Sequence, residues 1–138
     1  VSKGVSRIII GHNNGWKQNV ALGSRTNQSF VTIPFNRLIE QIKDKAGKYE
    51  GLEVKIVEES YTSKTDHLSL EEMTHQDYPK GRRIKRGLFK SACGRTLNAD
   101  INGAIGILRK GNAITDKQLM LLRDRGDVVS PKVFRRNL

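Results

Sequence analysis

The stretch Val5-Ser6-Arg7-Ile8-Ile9-Ile10-Gly11 ends in an unbroken β-branched run closed by glycine. A short apolar run of this kind reads as a buried strand, as in a parallel sheet. His12-Asn13-Asn14-Gly15 is turn material, and a polar, basic loop follows from Trp16 to about Gln28. From Ile33-Pro34-Phe35 onward the period changes. Phe35, Leu38, Ile39, Ile42 and Ala46 recur at helical spacing on one face, while Arg37, Glu40, Gln41, Lys43 and Asp44 fill the other. Pro34 suits a first-turn position, and Gly51 ends the excursion. Leu52 to Glu59 then alternates and turns apolar, a second strand. Strand, helix and strand with short connections form the β-α-β crossover of a parallel sheet, so the fold class is α/β. In such sheets functional groups collect beyond the carboxyl ends of the strands. Here that edge carries residues 11–14 and 58–63.

From Thr62 to Leu97 periodicity fails. This polar segment reads as an insertion, with a short β-hairpin around Gly87-Leu88-Phe89. Asn98-Ala99-Asp100 looks like a helix start, because Asn or Asp caps exposed N–H groups. Ile101, Ala104, Ile105 and Leu108 supply its apolar face, and Lys110-Gly111 closes it. A weaker helix runs through Leu119-Met120-Leu121-Leu122, and the last dozen residues read as a loose basic tail. The expected organisation is a β-α-β part over 1–61, a basic insertion over 62–97, a helix over 98–112, and a helix and tail over 113–138.

The chain has 25 Lys plus Arg against 14 Asp plus Glu, a formal net charge of +11. Such an excess favours polyanions, of which nucleic acid is the commonest, though a basic structural protein such as a ribosomal component carries the same charge. No apolar run approaches the roughly 20 residues needed to span a bilayer. A single cysteine allows no internal disulfide, which fits a reducing cytosol.

Asp100 is the first candidate site residue, either a metal ligand at a helix start or a plain cap. Glu58 and Glu59 end the second strand and alternate sides, so only one of them can face a site shared with Asp100. Mg²⁺ prefers oxygen ligands and takes one or two protein carboxylates plus water and phosphate. The alternative for the glutamates is a solvated pair. Lys80 to Arg86 holds five positive charges in seven residues, the pattern of phosphate neutralisation or of a solvated linker. Arg82, Arg83, Lys85 and Arg86 belong to it. Lys17, Arg25 and Lys64 extend the track, and Trp16 either stacks on a base or is buried. Cys93 alone reads as a small packing group. The three histidines, His12, His67 and His75, lack metal-ligand spacing.

Four ordered motifs carry a family resemblance: Glu58-Glu59-Ser60-Tyr61-Thr62-Ser63-Lys64-Thr65, Gly81-Arg82-Arg83-Ile84-Lys85-Arg86-Gly87-Leu88-Phe89, Cys93-Gly94, and Asn98-Ala99-Asp100-Ile101-Asn102-Gly103-Ala104. Together they resemble the C-terminal part of the OrfB/TnpB-type proteins encoded by bacterial insertion sequences, up to about Lys110. The resemblance implies a partial RNase H-like, RuvC-like fold with a zinc ribbon inserted before its last catalytic element. It also implies RNA-guided DNA endonucleases, related to the type V CRISPR effectors, that use three carboxylates and Mg²⁺. DNA and a guide RNA are the implied partners, and a bacterial cytoplasm the implied location.

By this resemblance Asp100 matches the third carboxylate, and Cys93 the last ribbon cysteine. Three departures follow. Asp66, Ser69 and Lys90 stand where the other ribbon cysteines belong, so the ribbon is degenerate and structural zinc is not expected. Gly11 stands where the middle glutamate belongs, and Glu58 or Glu59 substitutes from the neighbouring strand end. The first aspartate belongs to a hairpin that precedes these motifs, so the chain reads as a C-terminal portion without independent catalysis. The leading expectation is a transposon-associated DNA endonuclease (a transposase) that binds nucleic acid and cleaves DNA with Mg²⁺ when complete. The rival is a nuclease-inactive nucleic-acid-binding remnant or regulator.

Overall fold

Ile8, Ile9 and Ile10 lie in the first strand, β1 (Arg7–His12), which pairs in parallel with β2 (Glu53–Glu58) from Arg7 opposite Glu53 to His12 opposite Glu58. The computed structural model describes residues 4–12 and 35–128. The expectations for Trp16, Lys17 and Arg25 lie outside the described residues, as do the turn and loop from 13 to 34 and the tail beyond 128. The chain divides into two compact units, Val1–Glu58 and Glu59–Leu138.

In the first unit, α1 (Phe35–Ala46) lies between the two strands in sequence, as the helical period requires. Ile39 and Ala46 are buried and Ile42 is half-buried. Phe35 and Leu38 stay exposed, so the apolar face is narrower than the five-residue stripe expected from the sequence. A two-stranded sheet offers only a narrow strip for a helix to cover. β2 stops short of the expected strand at both ends, and Glu59 falls just beyond it. Strand alternation therefore no longer relates Glu58 to Glu59.

The second unit is built on a three-stranded antiparallel sheet in the order β3 (Arg82–Lys85), β4 (Leu88–Lys90), β5 (Thr96–Asn98). The hairpin expected around Gly87 is its first half. The third strand, unread in the sequence because it is only three residues long, runs directly into α2 (Ala99–Lys110). Asn98 caps α2, its side-chain oxygen accepting the N–H groups of Asp100 at 2.7 Å and Ile101 at 3.3 Å. The cap is thus Asn98, and Asp100 sits free of that task in the first turn. There a carboxylate is favoured by the helix dipole. Thr115 and Gln118 form a capping box that starts α3 (Asp116–Arg125), the expected last helix.

Phe89 and Leu97 face each other across β4 and β5 and lead the core, with Leu68, Ala99, Ile105 and Leu119. The buried face of α2 differs from the apolar stripe read in its sequence. Ala104 is exposed, whereas Asn102 and Gly106 are buried beside Ile105. A polar and a glycine position at helical spacing point to something other than aliphatic packing on that side. Among the described residues no helix is long and apolar enough to cross a membrane.

Candidate functional site

Between Lys80 and Ala99 there are seven basic residues and no acidic one. Folding arranges them by strand alternation. Residues directly opposite in an antiparallel pair share a face, so the pairing of Arg82 with Lys90, and of Lys90 with Thr96, sets one row across all three strands. All three residues are exposed. The neighbouring row, Phe89 with Leu97, turns into the core. Two cations directly opposite each other are unfavourable by themselves. Among the described residues no carboxylate pairs with Arg82, Arg83, Lys85, Arg86 or Lys90.

An open hollow of about 490 Å³ lies at one side of this sheet, lined by Ser63, Lys64, Pro79, Gly81, Arg82, Arg83 and Phe89. The fold thereby brings Lys64, 18 and 19 residues distant in sequence, to Arg82 and Arg83. Gly81 forms part of the wall because nothing larger fits: a Cβ there would stand 2.6 Å from the Phe89 ring and 2.9 Å from the Asp66 Cβ. Lys85 and Arg86 sit at the hairpin end of β3, exposed and outside the hollow. Tyr78, 92% exposed, stands next to Pro79 in the segment leading to the hollow.

The carboxylates are more dispersed. Asp100 is exposed on the first turn of α2. Glu59 opens the second unit, its backbone carbonyl accepting both the N–H and the hydroxyl of Thr62. The loop that follows Glu59 packs on α2: Asn102 donates to the Thr65 carbonyl at 2.8 Å. Glu58 closes β2 in the first unit. Among the described residues no three His, Cys, Asp or Glu side chains gather as metal ligands.

The second unit also holds a buried polar centre that the sequence reading does not anticipate. His67, Asp66 and Asn102 are fully buried, and Glu71, Ser91, Thr62 and Thr65 nearly so. His67 shares a hydrogen through Nε2 with the Thr62 carbonyl at 2.7 Å, so Nε2 is the protonated nitrogen. Its Nδ1 then accepts from Arg109 at 3.1 Å, and the same guanidinium nitrogen donates to the Glu71 carbonyl at 2.9 Å. Burial is the main cause that holds the His67 pKa below the ordinary histidine value, and the adjacent Arg109 charge adds to it. His67 is therefore a neutral structural group. The only sequence signal for this centre is the pair Asn102 and Gly106 on the inward face of α2.

A family model described as Cas12f1-like, TNB domain, matches residues 35–107, more than half of the chain. The chain belongs to this Cas12f1-like family. It is thus a TnpB/Cas12-like protein of the nucleic-acid-related kind that its motifs resemble. The family segment runs from α1 through the basic sheet and into α2, and so includes both the hollow and Asp100. No curated protein and no solved structure matches the chain.

Proposed function

We propose that the second unit is the nucleic-acid-binding part of a transposon-associated, TnpB-like DNA endonuclease, and that its three-stranded sheet holds the phosphate backbone. The observation that carries this reading is the acid-free surface from Lys80 to Ala99, with Lys64, Arg82 and Arg83 around one hollow. Cations with no carboxylate partner among the described residues are satisfied by phosphates, which position a strand without reading its sequence. Lys85 and Arg86 extend the same track, and DNA and a guide RNA are the partners this family membership favours.

In the complete enzyme the α/β parts belong to an RNase H-like, RuvC-like domain, and residues 62–97 to its degenerate ribbon. Asp100 then supplies one carboxylate to a Mg²⁺ site, with Glu59 or Glu58 as its partner. Bound there, Mg²⁺ would stabilise the attacking and leaving oxygens of phosphodiester cleavage. The dispersed carboxylates of this chain do not make such a site by themselves, so its catalysis depends on ligands supplied from elsewhere in the complete enzyme. The absence of a three-ligand group among the described residues favours a second reading, a nuclease-inactive binding module on the same surface.

Binding of labelled single-stranded DNA and RNA, measured against salt, tests the proposal. Each phosphate contact contributes about 0.7 to the slope of log K against log salt for a single strand. Replacing Lys64, Arg82 and Arg83 together by Gln is expected to lower that slope by about 2. Affinity that is insensitive to salt, or to these three changes, overturns it. In the complete enzyme, Mg²⁺-dependent cleavage abolished by Asp100→Ala separates the nuclease from the binding module.

A further inference from the structure

Asp66 joins two turns that lie far apart in sequence. Its Oδ1 accepts the Ser69 N–H at 3.3 Å and its Oδ2 accepts the Ala92 N–H at 2.7 Å. Between the same turns the Ser69 and Ser91 hydroxyls share a hydrogen bond of 3.0 Å. Ser91 Oγ also accepts the Cys93 N–H at 3.3 Å. The backbone N–H of Asp66 is held by the Glu71 carboxylate at 2.7 Å, and the other oxygen of that carboxylate holds the Lys80 N–H, also at 2.7 Å. Asp66 is 0% and Glu71 3% exposed.

These are the turns where the ribbon of related proteins would carry its metal ligands, and the side chains present do not fit zinc. A structural zinc site takes four N or S donors. Here Cys93 is an exposed thiol, Lys90 points into the outer row with Arg82, and the Ser69 hydroxyl is taken by Ser91. Both oxygens of Asp66 already accept backbone N–H groups. Carboxylates that accept backbone N–H groups make strong, short-range ties, and the burial of the charge is offset only while those ties hold.

We infer that Asp66, supported by Glu71, does the work of a structural metal in this chain: it clamps the turn at residues 66–70 to the turn at residues 91–94, so the second unit folds with no metal bound. A zinc centre couples folding to metal and to chelators. A carboxylate clamp removes both dependencies and leaves Cys93 with no structural task. The inference rests on the family reading for where a metal would sit, but it is independent of whether the sheet binds nucleic acid.

The whole chain, purified without added metal, provides the test. Elemental analysis is expected to find no stoichiometric zinc. Thermal unfolding with and without EDTA is expected to give the same midpoint, and Co²⁺ titration no thiolate-to-cobalt absorption. Cys93→Ser leaves the midpoint unchanged, whereas Asp66→Ala lowers it or abolishes the cooperative transition. Where Asp66→Ala does not fold, slow hydrogen exchange at the Ala92 amide in the unaltered chain decides for the clamp, and fast exchange decides against it. One equivalent of zinc, a midpoint lowered by EDTA, loss of folding in Cys93→Ser, or an unaffected Asp66→Ala each overturns the inference.

Discussion

Arg109 donates to Nδ1 of His67 at 3.1 Å while Nε2 of the same ring donates to the Thr62 carbonyl, so the imidazole is fixed in one neutral tautomer. A proton added at Nδ1 would face a guanidinium donor. In the unfolded chain the ring titrates near 6.5, and in the folded unit lower. Between those values the unfolded state binds more protons, so the contribution of His67 to stability is full above pH 6.5 and is lost as pH falls below it. We expect folding stability to drop by up to about 1.4 kcal/mol per pH unit in that window. Urea denaturation from pH 7.5 down to 5 measures it, with Asp and Glu titration as the background. A His67→Gln variant that folds should lose the part of the slope that sets in as pH falls below 6.5, and an unchanged slope would refute the assignment.

Gly106 belongs to α2, where glycine is otherwise a poor helix former. A Cβ there would lie 2.5 Å from Nε2 of His67 and 2.8 Å from Cβ of Thr62. Neither neighbour can yield: the ring is held at both nitrogens, and Thr62 is tied to Glu59. Gly106→Ala therefore destabilises the unit despite its better helix propensity, by about 1–3 kcal/mol as an overpacked core site. Gly103→Ala serves as its control, since a Cβ there meets only Ser63 Cα at 3.9 Å. The control should be neutral or slightly stabilising in the same thermal melt.

The β-α-β half of the fold was legible because Ile8 to Ile10 and the 35–46 stripe carry strong, contrasting periods. The basic surface was legible as a charge run. What escaped was the partnership of Lys90 with Arg82 and of Lys64 with Arg83, which depends on strand register and loop return. The polar centre escaped for a different reason. Asp66, His67 and Glu71 are spaced like surface residues, and only tertiary hydrogen bonds make them interior. Sequence alone leaves Asp100 either a cap or a ligand; Asn98 takes the cap, which leaves the carboxylate available for another role.

Asn102 positions that carboxylate. Its amide donates to the Thr65 carbonyl, anchoring the first turn of α2 on the loop that follows Glu59, while its own Oδ1 finds no partner among the described residues. Asn102→Ala leaves a buried carbonyl unsatisfied and should cost about 1–3 kcal/mol. Asn102→Asp should be worse, because it sets an acceptor against an acceptor. Denaturant midpoints rank the two variants. Equal stability of Asn102→Asp and the unaltered chain would show that the anchor contributes nothing.

Lys90 and Arg82 make the last prediction because they oppose stability to binding. They stand directly across β3 and β4 on the exposed face with no carboxylate near them in sequence. Like charges directly opposite on a sheet destabilise it, and an opposite-charge pair contributes roughly 0.2–1 kcal/mol. Lys90→Glu is therefore expected to raise the thermal midpoint at low salt, and the gain should shrink as salt screens the pair. If phosphates occupy this row, the same change must weaken nucleic-acid binding and flatten its salt dependence. A variant that is both more stable and a poorer binder identifies a repulsion kept for a polyanion. A variant that gains stability and binds as before removes Lys90 from the interface and confines contact to the hollow lined by Lys64, Arg82 and Arg83 and to the hairpin end at Lys85 and Arg86.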